Sequence, residues 1–111
     1  MARVVAVIGD LMLASRIEET LRAAGHEVEV VSSVDAAEAR DEDPAVVVAD
    51  LNQVDPADVA RLGPPVLGFY SHVDVEVRRR AEDAGVDLIV PRSRLVREMP
   101  RLVDSLLDST S

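Results

Sequence analysis

The chain has 111 residues, 48% of them hydrophobic and only 2% aromatic, and a formal net charge of −9. That length suits one domain with one core, and the acidic balance argues against nucleic acid or an anionic membrane as partner. There is no cysteine, which excludes disulfides and thiolate metal sites, and Phe69 and Tyr70 are the only aromatic residues, so the core has to be Val, Leu, Ile and Ala.

The first run, Arg3 to Ile8, is apolar without alternation and is stopped by Gly9-Asp10. Strands covered on both faces read this way. The run is too short to cross a membrane as a helix and has no signal-peptide pattern, so a cytoplasmic chain is expected. From Leu11 to Ala24 the period changes, and Leu13, Ile17, Leu21 and Ala24 share one helical face. Asp10 is placed to cap this helix and Gly25 to end it. Met12 is expected to be a core or near-core filler, as is Met99, although Leu11 and Met12 are apolar for a loop rim and could form a contact patch. His26, just after Gly25, is expected at the surface. Glu27-Val28-Glu29-Val30-Val31 alternates, as a sheet-edge strand with one wet face does. Ser32-Ser33-Val34-Asp35 resembles a capping box, with Asp for Glu, and opens a short helix through about Arg40.

After the acidic turn Asp41-Glu42-Asp43 and Pro44 comes Ala45-Val46-Val47-Val48-Ala49-Asp50. Five small or β-branched apolar residues without a polar break predict the central strand of a parallel sheet, ending on an acid. Asp55-Pro56 is an N-cap followed by proline at the first helical position, and Gly63-Pro64-Pro65 keeps that helix short. Val66 to Tyr70 is a fourth strand, weakened by Gly68. Ser71-His72-Val73-Asp74 is a loop and helix start, in which His72 is expected to be solvent-exposed. Val77, Ala81 and Ala84 mark the next helix, closed by Gly85. Its Arg78-Arg79-Arg80 run is expected on an exposed face balanced by Glu76, Glu82 and Asp83. Val86 to Val90 is a fifth strand, broken by Pro91-Arg92-Ser93. The last helix carries Leu95, Met99, Leu102 and Leu106 on one side, with Val96, Val103 and Leu107 beside them. Pro100 is tolerated only in a first turn, so the main body should start near Val96 to Glu98, and the chain should fray from Asp108 to Ser111.

Five βα repeats predict a flavodoxin-like, three-layer α/β sandwich. The expected sheet is parallel and five-stranded, in order 2-1-3-4-5, with helices on both faces and helix three shortened. In that order strands one and three end side by side. Asp10 and Asp50 then share a rim with Tyr70, Ser71 and Arg92. Neighbouring carboxylates raise each other's pKa unless a cation joins them, and hard oxygen ligands suit Mg²⁺.

On these residues the chain resembles a response-regulator receiver domain, the phosphoacceptor module of two-component signalling, over nearly its whole length. The resemblance implies a single receiver-like domain over residues 1–111. It implies Asp50 as the phosphoacceptor, Asp10 as the second acid of the Mg²⁺ site, a metal-facing backbone carbonyl from Asn52, Tyr70 at the switch hydroxyl position and Arg92 at the lysine position. The chain departs from the family pattern at several points. Gly9 replaces the first acid, Tyr70 is far larger than Thr or Ser, and Ser71 offers a hydroxyl one position late. Arg92 keeps the charge without the compact ammonium, and Pro91 precedes it where the family's proline follows. These departures predict an atypical, non-enzymatic module that works by protein contact, with weak or absent Mg²⁺ binding and phosphoacceptor activity weakened or lost. The alternative is a working phosphoacceptor, phosphorylated on Asp50 in a Mg²⁺-dependent phosphorelay. A further alternative is a flavodoxin-like small-ligand domain, for which Gly9-Asp10-Leu11-Met12-Leu13 is too acidic and apolar. Expected partners are a histidine kinase or an output protein. A homodimer through the last two helices and strand five would use Val96, Val103 and Leu107.

Overall fold

The computed structural model describes residues 2–71 and 75–109. Strands β1 (Arg3–Val7), β2 (Glu27–Val31), β3 (Val46–Asp50), β4 (Val66–Tyr70) and β5 (Leu88–Pro91) alternate with helices α1 (Leu11–Ala23), α2 (Val34–Glu38), α3 (Pro56–Ala60), α4 (Val75–Ala84) and α5 (Arg92–Ser109). The strands form one sheet in the order β2-β1-β3-β4-β5, and all four pairings are parallel. This is the predicted flavodoxin-like sandwich.

The non-alternating runs are explained by two cores, one on each face of the sheet. Successive side chains of a strand point to opposite faces. Val4, Ala6, Ile8, Val46 and Val48 pack with α1 and α5, whereas Val5, Val7, Val47, Ala49 and Leu51 pack with Ala37, Val59 and Ala81 from the three helices opposite. Every residue of β1 and β3 between their ends is thus buried. Gly68 lies inside β4 for a packing reason. A Cβ there would meet Leu51 Cδ1 at 2.7 Å, so the buried Leu51 side chain takes the place of one at position 68.

The caps follow the sequence closely. Gly25, Gly63 and Gly85 take positive φ after their helices. Asp55 Oδ1 accepts from the Ala57 N–H at 2.9 Å, with Pro56 opening α3. At α2 only half of a capping box forms: Ser33 is the N-cap and its Oγ accepts from Ala36 N–H, so no acid stands at the reciprocal position.

Several expectations are corrected. Strand β5 starts at Leu88, because Val86 N–H closes α4 on Ala81 O at 3.1 Å and Asp87 Oδ2 accepts from Val66 N–H at 2.8 Å. Helix α5 begins at Arg92 and breaks at Glu98, whose φ of −123° and ψ of 17° are non-helical. Pro100 therefore sits in the first turn of the second segment, as its missing N–H requires. The helix runs through Asp108 to Ser109; positions 110 and 111, like His72, Val73 and Asp74, lie outside the described residues. The His26 side chain is 8% exposed. Ala2 N–H donates to its Nδ1 at 3.3 Å, which leaves Nε2–H to face Asp104 Oδ1, also at 3.3 Å. Met99 is buried as expected, but Met12 is 85% exposed beside Leu11 at 80%. Val103 is fully buried, and Val96 and Leu107 pack against the same core. The residues that motivated a dimer surface therefore belong largely to the interior. Two of the three successive arginines pair within α4 as expected, Arg78 with Glu82 (3.1 Å) and Arg79 with Glu76 (3.4 Å), whereas Arg80 reaches Asp55 (3.7 Å), the α3 N-cap, in place of Asp83.

Candidate functional site

Strand order decides which residues meet. Val7 pairs with Ala49, so Gly9-Asp10 and Asp50-Leu51-Asn52-Gln53 leave the sheet side by side. Asp50 pairs with Phe69, and Tyr70 with Pro91, which brings Tyr70, Ser71 and Arg92 to the same carboxyl rim. Open α/β sheets carry their ligand sites at this reversal of strand order.

Asp10 is the N-cap of α1. Its Oδ1 accepts from the N–H groups of Met12 (3.0 Å) and Leu13 (3.2 Å), and its Oδ2 lies 3.5 Å from Arg92 Nη2. Both side chains of this ion pair are 43% exposed, so it is worth at most about 1 kcal/mol and acts chiefly by placing the two groups. Asp50 is half-buried at the end of β3, and its Oδ1 accepts from Asn52 N–H at 3.0 Å. Burial pushes the Asp50 carboxyl above its ordinary range; the Asn52 N–H and the Arg92 charge pull it back, and the Asp10 charge adds to the rise. The Asp10 charge is the smallest of these influences, and it reflects the two acids sharing one rim.

The Asn52 side chain has a role the sequence does not announce. Its Oδ1 accepts from Ser71 N–H at 2.6 Å, tying the exit of β3 to the exit of β4. Tyr70 is half-buried and Ser71 exposed; among the described residues neither hydroxyl bonds to Asp50.

Sequence reasoning also misses Gln53. Its Oε1 accepts from Gly9 N–H at 2.9 Å, and a Cβ on Gly9 would lie 2.2 Å from its Nε2. The carboxamide thus fills the space where a side chain at position 9 would begin. No local pattern marks Gln53, because its role depends on β1 lying next to β3 and on Gly9 leaving a gap.

These residues do not fit a divalent ion well. Position 9 offers no carboxylate, both Asp10 oxygens have partners, and an amide nitrogen stands in the gap. Among the described residues no group of three or more His, Cys, Asp or Glu is placed to hold a metal ion.

No family model matches this sequence, and no curated protein does. Solved structures do match in fold. The receiver domain of Francisella response regulator 1452 superposes with a TM-score of 0.84 at 16% identity, over 100% of both chains. A CheY-like response regulator receiver domain protein from Methanospirillum hungatei gives 0.86 at 17% identity, over 98% of this chain and 95% of that one. NtrX from Brucella abortus, crystallised with ADP, gives 0.84 at 18% identity over 97% of this chain, which spans only 27% of NtrX. The chain therefore has the receiver fold of response regulators.

Proposed function

We propose that the chain is a receiver-like signal-transduction module, a single unit over residues 1–111, that acts through protein contact and in which phosphoacceptor activity at Asp50 is weakened or lost. The observation that carries this reading is the charge balance of the rim. Phosphorylation would add nearly two negative charges at Asp50. Phosphoryl transfer is catalysed mainly by positive charge placed on the phosphoryl oxygens. Among the described residues the rim cation is Arg92, and it is already paired with Asp10. Leu11 and Met12, exposed next to Asp10, offer an apolar contact beside the acids. The partners this suits are a histidine kinase or an output protein. The net charge of −9 disfavours nucleic acid and anionic lipid, and no helix of the described residues is long and apolar enough to cross a membrane. Burial of Val103 removes most of the support for a homodimer through α4, β5 and α5.

A working phosphoacceptor is the second reading, favoured by the placement of Asp50. With Oδ1 held by Asn52 N–H, Oδ2 would attack the phosphorus of an acyl phosphate. A carboxylate O–P bond would form as the acyl phosphate P–O bond breaks, and Arg92 would balance the charge. Incubation with acetyl phosphate, with and without Mg²⁺, followed by intact mass measurement, separates the readings. The expected result is no stoichiometric phosphoryl adduct. A stoichiometric adduct that disappears in Asp50→Ala would establish the second reading in place of the first.

A further inference from the structure

We propose, on the receiver-like reading above, that Gln53 is the residue that closes this rim to a divalent cation, with Arg92 supplying internally the charge that such a cation would bring. Two carboxylates sharing a rim call for positive charge, and oxygen donors of this kind attract Mg²⁺ or Mn²⁺. The chain meets that demand with its own side chains. The Arg92 guanidinium lies 3.5 Å from Asp10 Oδ2, and its charge also acts on Asp50.

Gln53 then occupies the remaining space. The Gly9 N–H bond at 2.9 Å takes the carbonyl end of the carboxamide, which fixes the amide group the other way round, over Gly9. An NH₂ group donates and cannot ligate a cation. Gln53 is exposed, and its amide end occupies the entry of position 9, where a Cβ would come within 2.2 Å of it, so a side chain there would have to turn the carboxamide aside and break its bond to Gly9 N–H. Gly9 and Gln53 are therefore a matched pair: the missing side chain admits the carboxamide, and the carboxamide removes the vacancy.

The test is a Mn²⁺ titration of ¹⁵N-labelled protein, read as paramagnetic broadening of backbone amides. The exposed acids Asp41, Glu42 and Asp43 serve as an internal standard for non-specific binding. In the wild-type chain, the amides of Gly9, Asp10 and Asn52 should broaden no earlier than those of this acidic turn. In Gln53→Glu, which keeps the shape and the Gly9 contact but turns the donor end into an acceptor, the rim amides should broaden first. In the Gly9→Asp, Gln53→Ala double variant they should broaden at a Mn²⁺ concentration lower by about tenfold or more. Wild-type broadening that begins at the rim would overturn the proposal, as would variants with dispersed, folded spectra and no preference for the rim. The acetyl phosphate assay fails separately. A Mg²⁺-independent adduct on Asp50 would remove the contact-only function and leave Gln53 as the closing residue, whereas rim-first broadening without any adduct would do the reverse.

Discussion

Gly68→Ala puts a methyl group into a strand whose neighbour has no room for it. The new Cβ would lie 2.7 Å from Leu51 Cδ1 and 3.0 Å from both Cδ2 and Cγ. Leu51 is only 3% exposed, so it cannot swing into solvent, and it follows Asp50 directly on the same backbone. Overpacking of a filled core costs about 1–3 kcal/mol, against about 0.5–1 kcal/mol recovered by replacing glycine in a strand interior. The net loss is about 1–2 kcal/mol. An unfolding entropy of about 2.1 cal/mol/K per residue over 111 residues makes each kcal/mol worth about 4 °C, so thermal denaturation followed by circular dichroism should show Tm lower by about 4–8 °C. Leu51→Ala alone should cost about 2–5 kcal/mol as a cavity. In that background Gly68→Ala should become neutral or stabilising, because the atoms it would strike are gone and its methyl fills part of the void. A Tm that rises on Gly68→Ala in the wild-type chain, or effects that simply add in the double variant, would refute the packing account.

Two further outcomes follow from the rim. Because burial raises the Asp50 carboxyl, its ionisation opposes folding: stability falls as pH rises from the ordinary aspartate value through the raised one. Asp50→Asn should therefore unfold at higher urea than the wild-type chain at pH 7, with the gap closing at acidic pH where the wild-type carboxyl is protonated; a gap that widens in acid would contradict this. Asp10→Ala should cost about 0.5–2 kcal/mol through loss of the α1 cap, while Asp10→Asn should keep most of that cap, as thermal melts of the two variants would show.

Much of the architecture was legible because the β1 and β3 segments carry apolar residues on both faces, a pattern only a sheet covered on both sides explains. The caps at Asp10 and Asp55 act locally, so they too could be read from the chain, whereas the box pattern at Ser32-Ser33-Val34-Asp35 placed the α2 cap one residue before Ser33. What escaped the sequence depends on contacts between distant segments. His26 is held inside by Ala2 and Asp104, residues far from it in the chain. Met12 adjoins Leu13 on α1, yet one step around a helix turns it from the core to solvent. At the rim, the positions of Asp10, Asp50 and Arg92 followed from strand order, but Gln53 and the Asn52–Ser71 tie appear only once the strand exits are placed together.

The two apolar layers, one beneath α1 and α5 and the other beneath α2, α3 and α4, are walled off from each other by the sheet. A change of volume in one can be absorbed by neighbours on that side, without disturbing the other, provided pattern and total size are kept. A backbone partitioned in this way should tolerate extensive replacement of its residues one compartment at a time.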